Sequence, residues 1–156
     1  MEDDTAVKYV QDKKKLTKPC KPCQTVGEGL YLGERLLQIL KEESDGVGLA
    51  ANQVGVNACV CVINVSRPVV LINPRIVGQF GKSFFQEACL SFPGDYVLTE
   101  RWTDIIVSAQ NHSSDLVFSF EKSPLECVCV QHEIDHLNGI TMFDRAVDME
   151  SFNGKG

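Results

Sequence analysis

Positive charge is in short supply in this sequence: 15 lysines and arginines stand against 21 aspartates and glutamates, a net charge of −6. That balance argues against a nucleic-acid reader working through overall positive potential. Basic side chains cluster only near the start (Lys13, Lys14, Lys15, Lys18, Lys21), where a solvated N-terminal segment explains them. Long apolar runs are missing too. The longest, Ala58 to Ile63, falls far short of the ~20 residues a membrane helix needs. Met1-Glu2-Asp3-Asp4 is acidic and no apolar stretch follows, so no export signal is expected and cytoplasm is the default compartment. No repeat, low-complexity run or linker interrupts the chain. Its 156 residues, 44% hydrophobic and 23% charged, read as one globular domain, residues 1–156, with 1–26 partly irregular.

Cysteine is not scarce, but its pattern argues against a disulfide framework. Seven is an odd number, and without an export signal thiols or metal ligands are the expectation. Cys20-Lys21-Pro22-Cys23 is a CxxC in a proline-broken loop, with no second CxxC to complete a zinc site. Gly46-Val47-Gly48-Leu49-Ala50-Ala51-Asn52-Gln53 is a run of small residues that lets backbone approach a ligand or another element closely. It lacks the third glycine of a dinucleotide fingerprint, and no Gly-Lys-Ser/Thr follows.

Histidine is rarer still, with three in the chain, and two of them fall in Gln131-His132-Glu133-Ile134-Asp135-His136-Leu137. On a helix, His132 and His136 lie only ~40° apart around the axis, so both imidazoles can meet one metal ion. Glu133 can lie beside that ion without ligating it, placed to move a proton for water. Ser123-Pro124-Leu125-Glu126 reads as the start of this helix, with Ser123 as N-cap and Glu126 reaching back; Asn138-Gly139 reads as its stop. Cys127, Val130, Ile134 and Leu137 form an apolar back. Leu125, Val128 and Cys129 share the side of the two histidines. A capped core helix with incidental histidines is the plainer alternative, but the ligand spacing with glutamate in place weighs against it.

Elsewhere a second helix is expected over 28–43, from Leu32, Leu36, Ile39 and Leu40. Strands are expected over 58–63, 69–72 and, irregularly, 76–90, with a hairpin of 105–110 and 116–120. The class is α+β: mainly antiparallel strands around a central HExxH helix, plus one N-terminal helix.

A catalytic site of this type wants a third protein ligand. Position 142, where one zincin pattern places it, is methionine. Asp144, Asp148 and Glu150 remain downstream, and His112 and the cysteines upstream. Cys89 is moderately favoured, because it closes a strand before a turn and can be aimed into a cleft.

Three segments, Gly46 to Gln53, Glu87-Ala88-Cys89-Leu90-Ser91 and His132 to His136, resemble in this order the three motifs of peptide deformylases, and the likeness spans about 28–146, including Ile72-Asn73-Pro74. The resemblance implies hydrolysis of the formyl group from N-terminal formyl-methionine of nascent polypeptides. It implies Cys89, His132 and His136 as ligands of one divalent ion, with Fe2+ expected and Zn2+, Ni2+ or Co2+ as replacements. Glu133 would be the general acid/base, with Gln53 and the backbone N–H of Leu90 stabilising the oxyanion. Val47 and Gly48 would contact substrate, and Phe85, Leu125, Val128 and Cys129 would line the methionine pocket. Arg101 would pair with Asp135 behind the ligands. Ala88 departs from the glycine usual there. The chain resembles shortened, phage-like members without the C-terminal helix used at the ribosome, so formylmethionyl peptides are the expected partners and ribosome docking is left open. A monomer is expected, with no nucleic-acid or membrane partner.

Overall fold

The structure, a computed structural model, describes residues 9–148. The acidic opening at Met1-Glu2-Asp3-Asp4 and the ligand candidate Glu150 therefore lie outside the described residues. Helix α1 spans Val26–Lys41 and is capped by Thr25, whose hydroxyl accepts from the Glu28 N–H at 3.1 Å. It starts two residues before the expected Glu28 because the cap is this threonine. Gly29 and Gly33 weaken the helix locally but permit contact with the neighbouring sheet. A Cβ at Gly33 would sit 2.5 Å from Val70, and one at Gly29 2.7 Å from Ile72.

That sheet is antiparallel, in the order β1 (Gly48–Ala50), β2 (Val60–Asn64), β3 (Pro68–Ile72). Cys61 and Ile63 point into one core cluster, Val60 and Val62 into another shared with Leu36 and Leu40 of α1. Burial on both faces explains why the apolar run shows no alternation. The small-residue stretch after Asp45 is thus a short strand followed by a 3-10 helix, Ala51–Val54.

The second sheet, β4 (Arg75–Glu87), β5 (Val97–Ser108) and β6 (Leu116–Ser119), is a long antiparallel ribbon with one short edge strand. A register shift between Ile76 and Gly78 and a positive φ of 66° at Gly81 bend β4. Two sequence expectations need correction here. β4 stops at Glu87, so Cys89 lies in the turn beyond the strand rather than at its end. β5 begins at Val97, well before the expected 105, because its first half carries polar residues such as Thr99 and Arg101 that are buried for long-range reasons described below.

Helix α2 (Pro124–Leu137) lies between the two sheets. Cys127, Val130, Ile134 and Leu137 pack with Cys61, Ile63 and Leu71 of one sheet and Ile105, Val107 and Phe118 of the other. Every residue from Cys127 to Leu137 is buried, so the helix has no open polar front, only a cavity along part of it. Gln131 is accommodated by bonding the Trp102 backbone like a strand partner, accepting from its N–H at 3.0 Å and donating to its carbonyl at 2.9 Å. Ser123 caps the helix as expected, accepting from the Glu126 N–H at 3.1 Å. Glu126 does not reach back. The Ser123 N–H is already given to the Ser119 carbonyl, and Glu126 accepts from the Ser66 hydroxyl instead.

Among the described residues, 9–25 lack regular structure apart from a 3-10 helix, Lys13–Thr17, yet they are fixed in place. Leu16 is fully buried against Cys89, Phe92 and Met142. The Cys20 N–H donates to the Leu137 carbonyl at 2.8 Å, serving one of the carbonyls left over at the end of α2. No helix among the described residues is long and apolar enough to cross a membrane.

Candidate metal centre and active site

The ligand residues meet at the C-terminal half of α2. The turn after β4 brings the Cys89 sulfur to 3.4 Å from His136 Nε2, and His136 Nε2 lies 3.2 Å from His132 Nε2. One ligand atom from each of these three buried residues falls within 4.8 Å of the others. Around a tetrahedral ion with metal–nitrogen and metal–sulfur bonds of about 2.05 and 2.3 Å, two nitrogens stand about 3.3 Å apart, and a nitrogen and a sulfur about 3.6 Å. The two separations at His136 are close to those of one such ion, and the donor set suits a borderline divalent metal.

Behind the ligands stands a buried charge network. Glu87 faces His132 Nδ1 at 2.7 Å through Oε1, and it accepts from Arg101 Nε at 2.5 Å and Nη2 at 2.9 Å and from the Thr99 hydroxyl. Arg101 also donates to Asp135 at 2.6 Å, and Asp135 is held from its other side by Arg145 at 3.0 and 3.1 Å. Burial alone would raise the Glu87 carboxyl, but the hydrogen bonds and charges of His132 and Arg101 outweigh it and hold its pKa at about 2. An ionised Glu87 fixes the His132 ring with Nε2 facing the site. For His132 burial disfavours the charged ring, but Cys89 and Glu87 outweigh it and its pKa stands well above the ordinary value. Burial and the His132 charge push His136 well below its own. Two nitrogens this close do not both carry protons.

Sequence reasoning assigned Arg101 and Asp135 but missed Glu87. The signal available was proximity: Glu87 stands only two residues before the ligand Cys89, near enough along the chain to serve the same centre. Arg101 and Thr99 are buried in the polar half of β5 to meet it.

In front of the ligands, Gln53 is fixed by the 3-10 helix. Its Oε1 accepts from the Ala50 N–H at 2.9 Å, which turns the amide nitrogen toward the Cys89 sulfur (3.5 Å) and the Ser91 hydroxyl (3.3 Å). Leu90 follows directly in the turn. Glu133 is buried, and its Oε1 has no hydrogen-bond partner among the described residues. Burial is the largest influence on it and, despite the opposing charge of His132, raises its carboxyl to about 7. Gly48 lies against it: a Cβ there would stand 2.7 Å from Glu133 Oε2 and 2.4 Å from the Cys129 sulfur. Glycine is required at 48 by space.

A cavity of about 670 Å³ opens from this point. Val47, Gly48, Phe85, Leu125, Val128 and Cys129 all line it, as do Leu90 and Ala88. Tyr9 and Gln11, which sequence reasoning left in an irregular segment, line it too. Other candidates lie elsewhere. His112 is bonded to the Val70 carbonyl at 2.9 Å. Asp144 accepts from the Thr141 N–H, and Asp148 belongs to no metal-type cluster among the described residues. All seven cysteines are free thiols; Cys20 and Cys23 are half-buried and do not belong to the group of three ligands.

Known proteins resemble this chain in sequence and in fold. A family model described as polypeptide deformylase matches residues 6–152. A peptide deformylase of Hydrogenovibrio crunogenus is 41% identical over 106 residues, 65% of this chain and 62% of that relative. This chain therefore matches somewhat under two thirds of that relative's length. The crystal structure of peptide deformylase from Thermotoga maritima superposes with a TM-score of 0.80 at 32% identity, covering 92% of this chain and 97% of that one. A peptide deformylase from Synechococcus elongatus, solved in complex with actinonin, gives 0.79 at 35% identity over 96% of this chain and 82% of that one.

Proposed function

This chain belongs to the polypeptide deformylase family, and on that premise we propose that it hydrolyses the N-formyl group of formyl-methionine at the start of nascent polypeptides, releasing formate. The observation that carries the reading is the grouping of one sulfur and two imidazole nitrogens beside a buried, unbonded glutamate oxygen. Cys89, His132 and His136 would hold one divalent ion, which when bound supplies Lewis acidity to water and to the formyl carbonyl. Fe2+ is our choice, and Zn2+, Ni2+ or Co2+ suits the same donors.

The remaining work falls to the chain's own groups. Glu133 Oε1 takes a proton from the attacking water and later passes it to the leaving amine; its buried, unbonded position beside the ligands suits both transfers. The amide of Gln53 and the backbone N–H of Leu90 stabilise the negative charge that develops on the formyl oxygen. The backbone at Val47 and Gly48 aligns the substrate, and the methionine side chain enters between Phe85, Leu125, Val128 and Cys129. Arg101 and Asp135, with Glu87, keep the helix and the His132 ring in position. The protein acts as a single-domain monomer in the cytoplasm on formylmethionyl peptides.

The test is anaerobic purification with Fe2+ and assay on formyl-Met-Ala-Ser. Stoichiometric formate release is the expected result. Cleavage at internal peptide bonds would make the protein an endopeptidase of the HExxH type, and no turnover would overturn the proposal.

A further inference from the structure

The cavity has more room than its chemistry needs. At about 670 Å³ it matches pockets that enclose drug-sized ligands, and formyl-methionine fills only part of it. Its lining joins the apolar Phe85, Leu125, Val128 and Cys129 with a second set, Tyr9, Gln11, Glu43, Asp45 and Tyr96. Tyr9 and Gln11 come from the N-terminal strap, far in sequence from every catalytic motif.

The strap is held at this spot by specific contacts. The Tyr9 hydroxyl donates to Glu43 Oε2 at 2.9 Å, and the Tyr9 ring packs against the cluster of Leu36 and Leu40. The next residue, Val10, gives its N–H to the Gln53 carbonyl at 2.7 Å and packs beside Cys89 and Phe92. The strap is thus tied to the very residue whose amide faces the ligand sulfur. Rings that meet a ligand from a fixed position add contact at little entropic cost.

We infer that the N-terminal strap is part of the substrate site, with Tyr9 a specificity-determining residue that contacts the peptide beyond its formyl-methionine. This rests on the deformylase reading. It implies that substrates extending at least two residues past methionine gain affinity that formyl-methionine alone does not.

The test compares wild type, Tyr9→Ala and Tyr9→Phe on formyl-Met-Ala-Ser and on formyl-methionine, with calorimetric titration of the product peptide Met-Ala-Ser, which needs no turnover. Tyr9→Ala should raise KM for the tripeptide about 3- to 10-fold, the span of a single aromatic contact, with kcat held. The preference for tripeptide over formyl-methionine should fall by the same factor, and Met-Ala-Ser should bind correspondingly more weakly. Tyr9→Phe, which keeps the ring and frees Glu43, should lie between the two. Equal loss on both substrates would mean that Tyr9 acts through Gln53 as a structural prop, and no change on either would remove it from the site; each overturns the inference. A wild-type protein that binds Met-Ala-Ser but releases no formate overturns the deformylase reading while leaving the strap as a peptide-binding wall.

Discussion

Glu87 and Glu133 are both buried carboxylates within one small site, and their surroundings drive them apart. Glu87 has His132 and Arg101 at hydrogen-bond distance; Glu133 has an oxygen with no partner among the described residues. Such divergence is how one site keeps one carboxylate ionised and another able to exchange a proton. Glu133→Ala is expected to retain its metal by elemental analysis while formate release falls by about 10²–10⁴-fold or more, the scale of lost acid–base catalysis; a near wild-type rate would take Glu133 out of the mechanism. Glu87 makes an acid-side prediction. Its folded pKa of about 2 lies below the 4.5 of an unperturbed carboxyl, so between those values the unfolded chain binds more protons. The stability it contributes is complete above about pH 4.5 and is lost as pH falls through about 2. Denaturant unfolding between pH 6 and 2 should show this slope in wild type, and Glu87→Gln, which cannot titrate, should lower stability at pH 6 and flatten the acid limb.

At the level of elements, the closeness of α1 to β3 is set by two glycines that a helix would otherwise avoid. Gly33→Val would drive a side chain into Val70, where even a Cβ would approach to 2.5 Å. Overpacking of this kind costs about 1–3 kcal/mol. A drop in thermal midpoint is expected, partly recovered by adding Val70→Ala; an unchanged midpoint would show that the interface yields freely. The same scale shows what the sequence could reveal. Helix α2 was legible because its signals are local: a serine cap, a proline at the first position, a glycine stop and histidines at ligand spacing. The first half of β5 was not, because Thr99 and Arg101 are buried to serve Glu87, a partner 12 and 14 residues away that local alternation does not encode. The strand at Gly48–Ala50 was hidden likewise, since its small residues answer to close contacts with Cys129 and Glu133.

Across the whole molecule, α2 is clamped between two sheets, and the strap crosses from its C-terminal end to the cavity. Cys89 and His136 are separated by 47 residues, so periodicity could nominate the sulfur as a ligand but only the folded chain could bring it to the imidazoles. The strap was missed for a similar reason. Residues 9–25 carry no pattern of their own, and their order comes from bonds to distant backbone, Val10 to Gln53 and Cys20 to Leu137. The proposed chemistry requires those three side chains to share one ion. X-ray absorption spectroscopy of the zinc-loaded protein measures that directly. It should show one ion per chain with a single sulfur at about 2.3 Å and two imidazole nitrogens at about 2.0–2.1 Å, the sulfur shell vanishing in Cys89→Ser. A first shell of nitrogen and oxygen alone in the wild-type protein would contradict it.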